Sequence, residues 1–170
     1  MPIDRIGTAG IEDGSIVQAD LASGVAGTGP AFSAYRSTAQ TVTNDVYTKL
    51  LANTEEFDTN GNYDNTTNHR FQPTVPGYYQ INGQIYFFST GSITTGFTII
   101  YKNGVRFKDG NYLQINLTSS AFLTANALIY LNGTTDYVEL YGYMLGTGTL
   151  SFQVNAGTTS YFQGFLVRAA

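Results

Sequence analysis

Residues 78–88 read YYQINGQIYFF, and this two-residue alternation constrains the fold more than any other stretch. Successive side chains of an extended strand point to opposite faces. Tyr79, Ile81, Ile85 and Phe87 therefore share one side, and Tyr78, Gln80, Asn82, Gln84, Tyr86 and Phe88 the other. Such a strand needs neighbours at its edges and a second layer over its apolar side. Other stretches repeat the pattern. FLTANALIYL (122–131) places Leu123, Ala125, Ala127, Ile129 and Leu131 together. In DYVELYGYML (136–145), Val138, Leu140 and Met144 oppose Tyr137, Tyr141 and Tyr143. GFTIIYKNGVRF (96–107) reads as two strands around Asn103-Gly104, because both turn residues tolerate positive φ. TSYFQGFLVRA (159–169) is the last strand, and Asn132-Gly133 marks another turn. About eight to ten strands with turn signals between them predict an antiparallel sandwich. The one helix-like stretch, VYTKLLAN (46–53), is short and β-branched, so no helix is expected there.

Composition agrees with this and removes several function classes. With 13 Tyr, 11 Phe and only 12% charged residues, the chain suits pleated sheets. Its 170 residues suffice for one domain with a real core. A net charge of −4, with eight Lys and Arg spread along the chain, argues against nucleic-acid binding, which needs clustered cations. No apolar run reaches the ~18 residues of a membrane helix, so no membrane insertion is expected. Cysteine is absent, which excludes disulfides and thiolate metal sites. The first residues, MPIDRIGTAGIEDG, carry acids and no apolar core, unlike a secretory signal.

Residues 1–29 differ from the rest of the chain. Ile6, Ile11, Ile16 and Leu21 recur every five residues, a spacing that fits neither helix nor strand. Small turn-forming residues separate them. One copy cannot bury those side chains. The segment is therefore either a tail without structure of its own or an extended thread that gains order from sister chains or a partner. From Pro30 onward the strand pattern takes over, which divides the chain into a thread (1–29) and a head (30–170). Several head strands carry aromatics on both faces, although a sandwich buries one face of each sheet. The remaining ring surface must lie under a loop, at a subunit contact or at a ligand site, because large exposed apolar patches are unusual on monomers.

The head resembles a complement C1q-like globular domain, a relative of tumour necrosis factor. Pro30-Ala31-Phe32-Ser33-Ala34 resembles that family's first strand. Asn60, Tyr63, Phe71, Gly77 and Tyr79 resemble its central aromatic signature, with five residues between the Phe and Gly-x-Tyr. Val138 and Leu140 resemble the strand after its Gly-Asp turn, and Phe162-x-Gly164-Phe165-Leu166 its terminal strand. Departures are Ile81 where Phe is usual, a longer Tyr63–Phe71 interval, and Thr134-Thr135 between Gly133 and Asp136. The resemblance implies a ten-stranded antiparallel jelly roll that forms tight homotrimers. It also implies that Phe32, Tyr63, Phe71, Tyr79, Phe162 and Phe165 form the core and trimer signature. GIEDGSIVQADLASGV in the thread resembles repeats of bacteriophage tail-fibre and virion-appendage proteins.

Signals for catalysis are weak. His69 is the only histidine and lies in an apparent loop, where a solvated or hydrogen-bonded role is the simpler reading. No Gly-x-Ser-x-Gly elbow occurs. Asp58, Asn60, Asn62 and Asp64 have calcium-loop spacing, but Gly61 and His69 stand at the wrong positions for an EF-hand. A looser calcium site remains as a secondary expectation; no other cofactor is expected. The leading expectation is a non-enzymatic trimeric bacteriophage virion protein on the tail or capsid surface. Its thread would join other virion proteins, and its head would bind a host-surface glycan or protein. A capsid decoration or cement protein is the alternative, and a secreted C1q-like binding module the second alternative.

Overall fold

The computed structural model describes residues 28–114, 116–155 and 158–170. The thread positions Ile6, Ile11, Ile16 and Leu21 lie outside the described residues. The described residues form strands and turns without a helix. The strands are β1 (Ala31–Tyr35), β2 (Gln40–Thr41), β3 (Thr48–Lys49), β4 (Thr54–Asp58), β5 (Tyr63–Asp64), β6 (Arg70–Phe71), β7 (Gly77–Ser89), β8 (Ile93–Lys102), β9 (Val105–Leu113), β10 (Ser120–Leu131), β11 (Val138–Gly146), β12 (Leu150–Gln153) and β13 (Tyr161–Ala169). The count passes the expected ten because β2, β3, β5 and β6 are two-residue pairings, too short to give a periodic signal.

Two antiparallel sheets face each other. In sheet A, β7 is central, with β10 along one edge and β13 then β12 along the other. β1 and β4 extend the sheet beyond β13, and β2 beyond β12. Sheet B runs β5-β6-β11-β8-β9, with β3 also pairing β11. The expected alternation decides what lies between the layers. Tyr79, Ile81, Ile85 and Phe87 of β7 are fully buried, as are Ala125 and Leu131 of β10. Val138, Leu140 and Met144 of β11 close over them from sheet B. Thr98 is the polar exception on the inner side of β8, and its hydroxyl donates to the Leu123 carbonyl at 2.9 Å.

Asn103-Gly104 makes the expected two-residue hairpin. Their φ angles are 53° and 74°, and Lys102 pairs with Val105 across the turn. Asp136 anchors this hairpin: Oδ1 accepts from Asn103 Nδ2 at 2.7 Å, and Oδ2 lies 2.9 Å from Lys102 Nζ. Asn132-Gly133 acts differently. Asn132 Oδ1 accepts from the N–H groups of Thr134, Thr135 and Asp136. The resulting turn carries the chain from β10 in sheet A to β11 in sheet B. Gly29 already belongs to the head's packing, since a Cβ there would fall 2.1 Å from the Leu166 side chain.

Candidate functional site

Five of the six signature aromatics meet inside the sandwich. Phe32 stacks on Phe71 at 4.3 Å and on Tyr63 at 5.1 Å, and Phe162 meets it edge-on at 5.2 Å. Tyr79 meets Phe71 edge-on at 5.6 Å. The phenol oxygens are satisfied: Tyr63 donates to the Ala52 carbonyl and Tyr79 to that of Val75. Burial holds both phenols above their ordinary pKa. Phe165 is separate. It follows Gly164 on β13, so alternation turns it outward, half exposed, on sheet A.

Asp58, Asn60 and Asp64 are turned toward donors of their own turns, and Asn62 toward the segment at Thr74. Asp58 accepts from the N–H groups of Asn60 and Tyr63. Asp64 accepts from those of Thr66, Thr67 and Asn68. Backbone donors at Thr67 and Thr66 hold the Asp64 carboxyl well below the usual range. Asn60 Oδ1 accepts from the Thr59 hydroxyl, and Asn62 Oδ1 from the Thr74 N–H. Calcium needs about six to eight oxygens converging on one point. These are capped turns instead, and no group of three or more His, Asp or Glu among the described residues could hold a metal. His69 adopts φ 47° with Nδ1 3.1 Å from the Ala52 carbonyl, a backbone contact rather than a triad.

The outer surfaces of the two sheets are both aromatic but differ chemically. On sheet A, the outward residues of β7 alternate as Tyr78, Gln80, Asn82, Gln84, Tyr86 and Phe88, as expected. β10 adds Phe122, Thr124, Asn126, Leu128 and Tyr130; β13 adds Tyr161, Gln163, Phe165 and Val167. Their one charged residue is Arg168, which the bulge after Leu166 places opposite outward Tyr78 at one end of the face. Phe122 stacks on Tyr86 at 4.4 Å, while Leu128 stands 57% exposed. On the other side of β7, a cleft of about 180 Å³ opens between Phe57 and Phe165 over Gly164.

Sheet B carries a second, smaller cluster on its outside. Ile99 and Phe97 point away from the main core, yet Ile99 is fully buried and Phe97 nearly so. Rings cover them. Tyr143 stacks on Phe97 at 4.9 Å, Tyr112 lies at 5.6 Å, and Tyr47 meets it edge-on at 6.0 Å. Tyr101 and Tyr141 stack at 3.9 Å nearby. Charges are interleaved with these rings. The Arg106 guanidinium sits 5.1 Å from the Phe97 ring, forms two 2.6 Å bonds to Asp109 and donates to the Tyr47 hydroxyl. The Arg106 bonds hold the Asp109 carboxyl below its ordinary value. Tyr143 donates to Asp45 Oδ1, and that bond, with burial, pushes its phenol up to about 12. Lys49 pairs with the buried Glu139 at 2.7 Å.

Tyr141 and Tyr143 had a visible signal, since alternation puts them opposite the core positions. Tyr47, Asp45, Arg106 and Asp109 had none. Tyr47 reaches Phe97 from 50 positions away in sequence, and β-bulges between Phe97 and Ile99 and between Ile100 and Tyr101 shift the register that brings Arg106 over the rings.

No family model matches the chain, and no curated protein does. Solved structures do match. The globular domain of the zebrafish complement 1qA protein is 19% identical, with 83% of this chain and 99% of that one covered and a TM-score of 0.56. Murine APRIL at pH 5.0 is 8% identical over 81% of this chain and 98% of that one, with a TM-score of 0.59. Eiger TNF from S. frugiperda is 12% identical over 83% and 92%, with a TM-score of 0.52. With two antiparallel sheets and a buried Phe32–Tyr63–Phe71–Tyr79–Phe162 cluster between them, the head of this chain has the C1q/TNF-like jelly-roll fold.

Proposed function

We propose that this chain forms a homotrimeric, non-enzymatic bacteriophage virion protein, a tail-fibre or surface-appendage head that binds a host receptor. Residues 1–29 attach it to other virion proteins. The observation that carries the reading is the outer face of sheet A, whose three long rows of aromatics and amides hold a single charge, Arg168, at one end. Interface cores are depleted of charge and enriched in aromatics. A three-fold ring joins two different patches of each subunit. Here Phe122 and Leu128 stand on one side of β7, and the Phe57–Phe165 cleft on the other. In the proposed trimer the projecting side chains of one copy enter the cleft of the next. The phage assignment rests on the thread, whose small-residue repeats resemble those of virion appendages. The C1q/TNF-like fold supports a binding role.

Measuring the molar mass of the full chain by light scattering, together with its location on intact particles, tests this reading. A trimer found on the tail supports it; a monomer at micromolar concentration, or absence from particles, overturns it. The spacing of Ile6, Ile11, Ile16 and Leu21, which suits a thread laid over a partner surface, favours one second reading, a decoration protein that staples neighbouring capsid subunits. Particles lacking the protein separate the two, since a receptor-binding head loses adsorption and a staple loses capsid stability.

A further inference from the structure

We propose that the outer face of sheet B around Phe97 is a binding site for a neutral glycan, one without carboxylate or sulfate groups. The proposal rests on the reading of the protein as a trimeric binding head, and assigns that head its ligand-bearing face. Three observations converge on it.

The first is the ring surface. Tyr47 and Tyr112 flank the buried Phe97 and remain 43% and 59% exposed. Aromatic rings pack against the C–H faces of sugar rings. The area also selects the class of ligand. A fully buried aromatic side chain contributes about 150–250 Å². These partly exposed tyrosines fall well short of the ~800 Å² per partner of a stable protein interface. They match one to three sugar rings.

The second is the charge. Arg106 is committed to Asp109 through two bonds and to the Tyr47 hydroxyl through a third. Asp45 and Asp109 thus face a single, already paired cation. The patch offers no free positive charge to an acidic sugar among the described residues that form it, and the surplus carboxylate repels one. Asp45 binds the Tyr143 hydroxyl through Oδ1 alone, which leaves Oδ2 to accept sugar hydroxyls.

The third is rigidity. Asp45 adopts φ 63°, an uncommon conformation that Asp tolerates. It is held there by its N–H bond to the Met144 carbonyl and by Asn44 Oδ1 accepting from the Gly146 N–H. Tyr47 lies two residues on and is fixed by Arg106. A prearranged surface loses little freedom when a ligand binds.

The test is a printed array of neutral hexose and N-acetylhexosamine oligosaccharides beside sialylated and sulfated ones, probed with the full chain. The best binder is then titrated by tyrosine fluorescence, which is usable because the chain has no Trp. We expect saturable binding to neutral glycans only. Affinity should fall at least about tenfold in Tyr112→Ala and be kept in Tyr112→Phe, which retains the ring. A chain that is trimeric and particle-bound but binds no neutral glycan overturns the proposal and leaves the underlying reading standing. Preference for acidic glycans, or binding that Tyr112→Ala leaves unchanged, also overturns it. A chain that binds neutral glycans through Tyr112 as a monomer overturns the trimer reading alone.

Discussion

The outer faces of the two sheets both carry exposed rings, more of them on sheet A, and differ in what lies between them. On sheet A the spaces hold Gln80, Asn82, Gln84, Thr124, Asn126 and Gln163, with Arg168 at one end. On sheet B they hold Arg106, Asp109, Asp45, Glu139 and Lys49, tied to one another or to ring hydroxyls. Neutral amides can be buried against a second copy once hydrogen-bonded, whereas unpaired charges cannot be without a large penalty. Sheet B also roofs its own apolar residues, Phe97 and Ile99, with tyrosines. Sheet A leaves Phe122, Leu128 and Phe165 uncovered. The same residue type thus covers one surface and stands exposed on the other.

The largest effect should come from placing a charge on the wrong face. Leu128→Glu buries three unpaired carboxylates in the proposed trimer, and its dissociation constant should rise by at least about a thousandfold in sedimentation. Tyr112→Glu on sheet B should leave the trimer intact. Equal effects would erase the distinction between the faces. Next is the core between them. Phe32→Ala removes the centre of the aromatic stack and should cost about 3–5 kcal/mol in denaturant unfolding at every protein concentration. Phe165→Ala should act only through the concentration-dependent part of the transition.

Smaller effects belong to the charges. Arg106→Ala should lower stability by about 1 kcal/mol, because the pair with Asp109 is exposed and the ring contact is modest. A loss several times larger would mean that sheet B is a structural roof rather than an open face. The smallest effect concerns acid. Asp64 is held below its ordinary range, so the folded head binds that proton less readily than the unfolded chain. Its contribution is complete above about pH 4 and is lost as pH falls through the lower folded value. Asp136 behaves alike: burial pushes it up, but bonds from Asn103 and Lys102 more than offset this. Thermal melts between pH 5 and pH 2, roughly spanning the aspartate range, should fall less steeply for Asp64→Asn than for the native chain.

Much of the fold was legible because period-two alternation is a local signal. The inward rows of β7, β10 and β11 came from it directly, and the Asn103-Gly104 hairpin from its turn residues. The aromatic cluster at Phe32 was legible only through family resemblance, since nothing local says that Tyr63 and Phe71 stack on it. The two-residue strands were invisible because no period fits in two residues. Asn132-Gly133 carried a turn signal, but whether a turn joins two strands of one sheet or crosses between sheets depends on the layers. The sheet B face was half legible. Its tyrosines on β11 alternate with core residues, while Tyr47 and Arg106 arrive through a long-range loop and two bulges.

Chemical labelling of tyrosines in the assembled full chain, read peptide by peptide by mass, tests the division of faces most directly. Within one subunit, Tyr78 and Tyr130 are 45% and 42% exposed, and Tyr47 and Tyr112 are 43% and 59%. A free subunit would therefore label all four to similar extents. The trimer through sheet A predicts protection of Tyr78 and Tyr130, with Tyr47 and Tyr112 still labelled. Equal labelling of the two pairs, or protection of Tyr47 and Tyr112 instead, would contradict it.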